Sequence, residues 1–154
     1  MAQRRTGSEH IRKIDFVFYN EGHIREAVAE ARNEPKPPGR NGSGTSDPTA
    51  SEAIRNATPV ASVTLGGREL ERPEEWLRVV RATYEWCDII RLAVARGRYS
   101  GVDYRETCAR LCLSQATYSR YLRDVREHAL LCAVQIGLVR MPLASSPPGQ
   151  RHPK

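Results

Sequence analysis

The side chains of this 154-residue chain with the greatest capacity for catalysis or metal binding are its four cysteines and four histidines. Their spacing points away from both. Cys87, Cys108, Cys112 and Cys132 form no CxxC pair of the kind that holds zinc. Cys108 and Cys112, four apart, share one face of a helix, so a metal is geometrically conceivable. Free cysteine, however, packs in cores as a small hydrophobe, and core packing is the reading adopted here. His10, His23, His128 and His152 are scattered, with no acid or nucleophile at a helical step from them. Gly66-Gly67 is too short to cradle a phosphate. The expectation is a protein that is not an enzyme and holds no metal or cofactor.

The chemistry that remains is recognition. Tyr104 to Arg123 reads YRETCARLCLSQATYSRYLR, and its apolar spacing matches a helix-turn-helix. In that unit a short first helix crosses a second, whose outer face enters the major groove of DNA. Cys108 falls where a small residue is needed, and Cys112 falls at the turn, where glycine is commonest. Leu111, Leu113, Tyr118 and Tyr121 take the inward positions. Ser114 is placed to cap the second helix by accepting from the backbone N–H of Ala116 or Thr117. Gln115, Ala116, Ser119, Arg120 and Arg123 then point outward. Arginine pairs bidentately with guanine and glutamine with adenine. Ser114, Thr117, Arg105, Arg110 and Arg126 are candidates for phosphate contacts that set the register. Two features depart from the common pattern: Thr107 stands where an aliphatic is usual, and Cys112 replaces the turn glycine.

The elements that must position this unit are predicted to be all-α. Residues 8–32 read as an N-terminal helical segment, broken near Asn20 to Gly22, with an apolar stripe on each piece (Ile11, Ile14, Val17 and Phe18, then Ile24, Ala27, Val28 and Ala31). Pro35, Pro37, Pro38 and a Gly-Ser-Gly run make residues 33–48 a flexible linker, which should leave those helices loosely tethered. Residues 49–139 form the helical DNA-binding domain. It opens with a short helix over Pro48 to Ala57 and a connection through Val60 to Leu65, which alternates in part but has no evident strand partner. Pro73-Glu74-Glu75 starts a long helix running to Gly97, with Trp76, Val79, Thr83, Trp86, Ile90 and Ala93 on one seam. A second runs from Ser114 to Gly137, with Tyr118, Leu122, Val125, Ala129, Cys132 and Ile136 on the other. The matching heptad-like seams predict packing along one another, within the chain or across a dimer. Residues 140–154 read as a disordered basic tail.

Bulk properties agree with a DNA partner. The net charge is +6 and the pI about 9.5, a balance that favours polyanions. No apolar run is long enough for a membrane span, and the N-terminus has no apolar stretch behind its basic residues, so a cytoplasmic location is expected.

Taken together, these parts resemble the phage-encoded late transcription regulators of the RinA and ArpU type. The resemblance runs from about Phe18 to Val139. It rests on Tyr19 to Arg25, the Gly/Ser linker ending Ser46-Asp-Pro-Thr-Ala50, Ala53-Ile-Arg55, the long central helix with Tyr99, and Leu113 to Arg120 closing at Gly137-Leu138. The last unit is also similar to the promoter-recognising region 4 of bacterial sigma factors. The resemblance implies a sequence-specific activator of late phage genes acting with host RNA polymerase, with Gln115 to Arg123 as the recognition positions. The acidic Glu69, Glu71, Glu74 and Glu75 beside Trp76 are a candidate protein-contact patch, or a solvated helix start. Two rival readings stay open. A DNA-packaging accessory protein similar to a small terminase subunit predicts a ring-like homo-oligomer. A helical adaptor predicts activity indifferent to Arg120 and Arg123.

Overall fold

The computed structural model describes residues 3–33 and 58–140. The linker, the helix expected over Pro48 to Ala57, and the tail beyond Arg140 lie outside the described residues. Six helices and one short hairpin are present among those described: α1 Gln3–Tyr19, α2 Glu21–Asn33, β1 Ser62–Leu65, β2 Arg68–Glu71, α3 Pro73–Trp86, α4 Ile89–Tyr99, α5 Tyr104–Leu111 and α6 Gln115–Gln135. The protein is mostly helical, as expected, but not wholly so.

The N-terminal helices are not loosely tethered. α1 packs on α6, α3 and α4, and α2 packs on α3 and β1. Ile14, Val17, Phe18, Ile24 and Val28 are buried in the same core as Trp76, Val79, Val94 and Val125. Each apolar stripe needed a partner, and the C-terminal helices supply it. The break between the two helices is at Asn20, whose side-chain amide donates to the Phe16 carbonyl at 2.7 Å.

The segment Val60 to Leu65 does find a strand partner. β1 pairs antiparallel with β2, Ser62 opposite Glu71 and Leu65 opposite Arg68. Gly66 and Gly67 both have positive φ, 55° and 78°, the backbone that a two-residue hairpin turn requires. Val63 and Leu70 face each other in the register and are both buried.

The long helix expected from Pro73 to Gly97 is two helices. Asp88 ends the first possibility by capping α4: its carboxylate accepts from the backbone N–H of Ile90 at 3.1 Å and of Arg91 at 2.7 Å. Consequently Trp76, Val79 and Thr83 are buried, while Trp86 and Ile90 are exposed. Gly97 does not end a helix either. It lies inside α4, where a Cβ would come within 2.9 Å of Thr107 Oγ1. The chain turns two residues past α4, at Gly101, with φ 80°.

Against this, α6 runs antiparallel to α3. At one end the Arg72 guanidinium donates to the carbonyls of Ile136 and Gly137, both at 3.0 Å, placing a cation at the negative end of α6. At the other end Trp86 stacks on His128, ring centroids 4.2 Å apart.

Candidate nucleic-acid interface

α5, the turn Cys112 to Ser114 and the first half of α6 give a short helix, a turn and a longer helix over the segment read as a helix-turn-helix. Asp103 starts α5 by accepting from the Arg105 N–H at 2.7 Å. Cys112 ends it in the left-handed region, φ 52° and ψ 43°, the conformation for which glycine is preferred. The Leu113 N–H then reaches back to the Cys108 carbonyl at 2.9 Å, the backbone closure of a Schellman motif. Ser114 caps α6. Its Oγ accepts from the Thr117 N–H at 3.1 Å and lies 2.9 Å from the Thr117 hydroxyl.

The crossing is tighter at Thr107 than at Cys108. Thr107 is fully buried and meets Gly97 of α4, whereas Cys108 is half-buried. A threonine fits where an aliphatic is usual because its hydroxyl leans on the Asp103 carbonyl one turn earlier, at 3.4 Å. Tyr118 is buried, and Leu111, Leu113 and Tyr121 are half-buried against the core. Burial pushes the Tyr118 hydroxyl pKa up.

The outward set is displayed together. Ser114, Gln115, Ala116, Ser119, Arg120 and Arg123 are all exposed, and Arg105 and Arg110 of α5 are exposed as well. No acid interrupts residues 115–123. Of the acids that follow, Asp124 is bound by Arg91 at 3.0 Å, and Glu127 lies 3.8 Å from Arg123. The Arg120 guanidinium lies 5.5 Å from the Tyr121 ring centroid, and that of Arg105 lies 5.7 Å from the Tyr104 ring. These aromatic neighbours restrict long side chains, and Arg105 also donates its Nε–H to the Tyr104 hydroxyl at 3.3 Å. The adjacent Tyr104-Arg105 and Arg120-Tyr121 pairs were the visible signal for this arrangement, which outward and inward assignment alone missed.

Arg126 is a correction. Its guanidinium turns inward and grips Asp15 of α1 with two 2.8 Å hydrogen bonds, and the Tyr99 hydroxyl donates to the same carboxylate at 2.8 Å. Burial and the Asp15 charge push the Tyr99 hydroxyl pKa well above its usual value. Arg126 therefore ties α1 to α6 and is withdrawn from the phosphate set. Thr117 is half-buried with its hydroxyl turned to Ser114.

The acidic patch is corrected too. Trp76 is buried beneath Lys13, whose Nζ is 5.3 Å from the ring centroid. Glu74 pairs with Arg32 and Glu75 with Arg72, while Glu69 accepts from the Ser62 hydroxyl at 2.7 Å. Three of the four acids are thus bound within the chain.

Among the described residues no group of three or more His, Cys, Asp or Glu side chains is placed to hold a metal, and no helix is long and apolar enough to cross a membrane. Comparison with protein-family models, curated proteins and solved structures finds no match to this chain.

Proposed function

We propose that the protein is a sequence-specific DNA-binding transcription regulator that reads the major groove with the N-terminal half of α6. One observation carries the reading. Gln115, Ala116, Ser119, Arg120 and Arg123 share the exposed side of a capped helix whose opposite side is fixed by Tyr118, Leu122 and Val125. Gln115, Arg120 and Arg123 have the donor geometry for base edges, and Ala116 and Ser119 are small enough to allow close approach. Arg105 and Arg110 on the preceding helix, with the Ser114 hydroxyl at the start of α6, supply phosphate contacts. Nothing in this set has the arrangement of a nucleophile with a base. The resemblance to late phage regulators extends the proposal to an activator of prophage late genes that works with host RNA polymerase.

Repeated selection from randomised duplexes tests the reading. Wild-type protein is expected to enrich one motif, and Arg120→Ala with Arg123→Ala to lose it while keeping weaker, unselective binding. Enrichment of the same motif by both proteins would assign recognition elsewhere.

A further inference from the structure

A groove of about 630 Å³ opens where the α1–α2 corner meets α3 and α4, within the range of roughly 300–1,000 Å³ that small-molecule sites occupy. Aromatic rings in mutual contact line it. Phe18 stands edge-on to Tyr84 at 5.5 Å and 4.9 Å from Tyr99, and Tyr19 meets Tyr99 at 5.1 Å. Tyr19 stays 43% exposed, so the series ends on an open ring against which another planar ring can pack. Gly22 of α2 also lines the groove. A Cβ there would meet nothing within 4 Å, so packing inside the chain does not require a glycine, which is a poor helix former. Its missing side chain leaves the groove open.

The charged groups of the groove set the class of occupant. They are Arg25, Arg81 and Arg96, with Glu21 and Glu85. Arg25 and Glu21 pair at 2.6 Å and cancel. Among the described residues Arg81, Arg96 and Glu85 enter no ion pair. Two cations against one anion leave an excess of one positive charge. The Arg96 guanidinium lies 5.9 Å from the Tyr84 ring centroid, which puts a cation beside the aromatic lining. The Tyr84 hydroxyl makes no hydrogen bond among the described residues. Burial, helped by the Glu21 charge, pushes its pKa up to about 12, so it stays protonated and able to donate.

We propose that this groove is a binding site for a small organic monoanion built on a planar ring, an aromatic carboxylate or sulfonate in chemical class. The ring packs on the aromatic lining, Arg81 and Arg96 neutralise the acid group, and the Tyr84 hydroxyl donates to it. Glu85 disfavours a second negative charge. All four helices around the groove contribute to it, so an occupant braces the N-terminal pair against α3 and α4. Tyr99 also donates to Asp15, the carboxylate that Arg126 of α6 grips, so the site is joined to α6 through that contact. Ligand binding stands independently of DNA reading.

Fluorescence titration of the full chain without DNA tests the proposal, with anilinonaphthalene sulfonate, an aromatic monoanion, as the probe. Wild type is expected to bind it saturably at one site per chain. Naphthoate should displace it far better than inorganic phosphate at the same concentration. Gly22→Leu fills the groove from a position where the chain leaves room. It should keep the thermal midpoint while affinity for the probe falls at least ~10-fold. Arg81→Gln with Arg96→Gln changes two exposed side chains and should weaken binding to a similar degree. Leu131→Glu alters an exposed apolar residue outside the groove and should leave the titration unchanged. The proposal is overturned by the absence of a saturable site, or by an affinity unmoved by Gly22→Leu or by the arginine pair. Equal displacement by phosphate, or a loss in Leu131→Glu that matches the loss in Gly22→Leu, overturns it as well.

Discussion

Gly97→Ala places two opposed effects at the contact that seats α5 on α4. Alanine is favoured over glycine inside a helix by about 1 kcal/mol, and on propensity alone the substitution stabilises. The added Cβ, however, would stand 2.9 Å from Thr107 Oγ1 and 3.5 Å from its Cγ2. Turning the Thr107 hydroxyl away from Gly97 gives up its contact with the Asp103 carbonyl and drives a γ atom into a fully buried surround, so the space is not cleared without cost. Overpacking of this kind costs about 1–3 kcal/mol, so the net effect should be a loss of about 1 kcal/mol. Urea denaturation at constant slope reads it as a lower midpoint. With Thr107→Ala as the background the obstruction is gone, and Gly97→Ala should then stabilise by about 1 kcal/mol. The two differ by a coupling of about 2 kcal/mol between residues on different helices. A higher midpoint for Gly97→Ala in the wild-type background would refute the tight crossing.

Three further outcomes follow from the same geometry. Cys112→Gly should raise stability by about 0.5–1 kcal/mol, since a side chain in the left-handed region is strained and its sulfur is exposed; Cys112→Ala keeps the strain and should leave the denaturation midpoint nearly unchanged. A double-mutant cycle between Asp15→Ala and Arg126→Ala should give a coupling of about 1–2 kcal/mol, as expected for a bidentate pair that is largely but not fully buried. A coupling indistinguishable from zero refutes that role, as does a larger effect of Arg126→Ala on DNA affinity than on folding. Burial lowers the His128 pKa below its ordinary 6.5, so its contribution to stability is complete above pH 6.5 and is lost as the pH falls through the folded value. Stability measured across that window should depend less on pH in His128→Gln, and an unchanged slope contradicts the burial argument.

The short helix, the turn and the capped longer helix of residues 104–123 were legible because their signals are local. A capping serine, outward basic residues and an apolar step of three and four all act within one or two turns. The left-handed Cys112 was legible as a position that asks for glycine, although the residue there is not one. The β-hairpin was missed because each strand is only four residues long, too short for alternation to declare itself. The signal was the Gly66-Gly67 pair, judged for phosphate binding and not for a turn. Continuity of helical spacing across Trp86 to Ile90 masked the break between α3 and α4, which depends on Asp88 choosing to cap. Gly97 was taken for a terminator because its reason is tertiary: Thr107 approaches from another helix. The same limit applies to Arg126. Its face on α6 can be computed from spacing, but only the docking of α1 brings Asp15 beneath it. Long-range partners decide whether a basic residue is a ligand for phosphate or a strut in the core.

The most direct test of the central claim is an anisotropy titration of labelled duplex DNA at two salt concentrations, comparing wild type with Arg120→Ala/Arg123→Ala. Wild type is expected to bind a preferred duplex with an affinity that falls steeply as salt rises. The double substitution should cost about 1–3 kcal/mol per lost base contact and erase the preference between duplexes. Equal binding and equal preference in the two proteins, or no binding by wild type at low salt, would contradict the account.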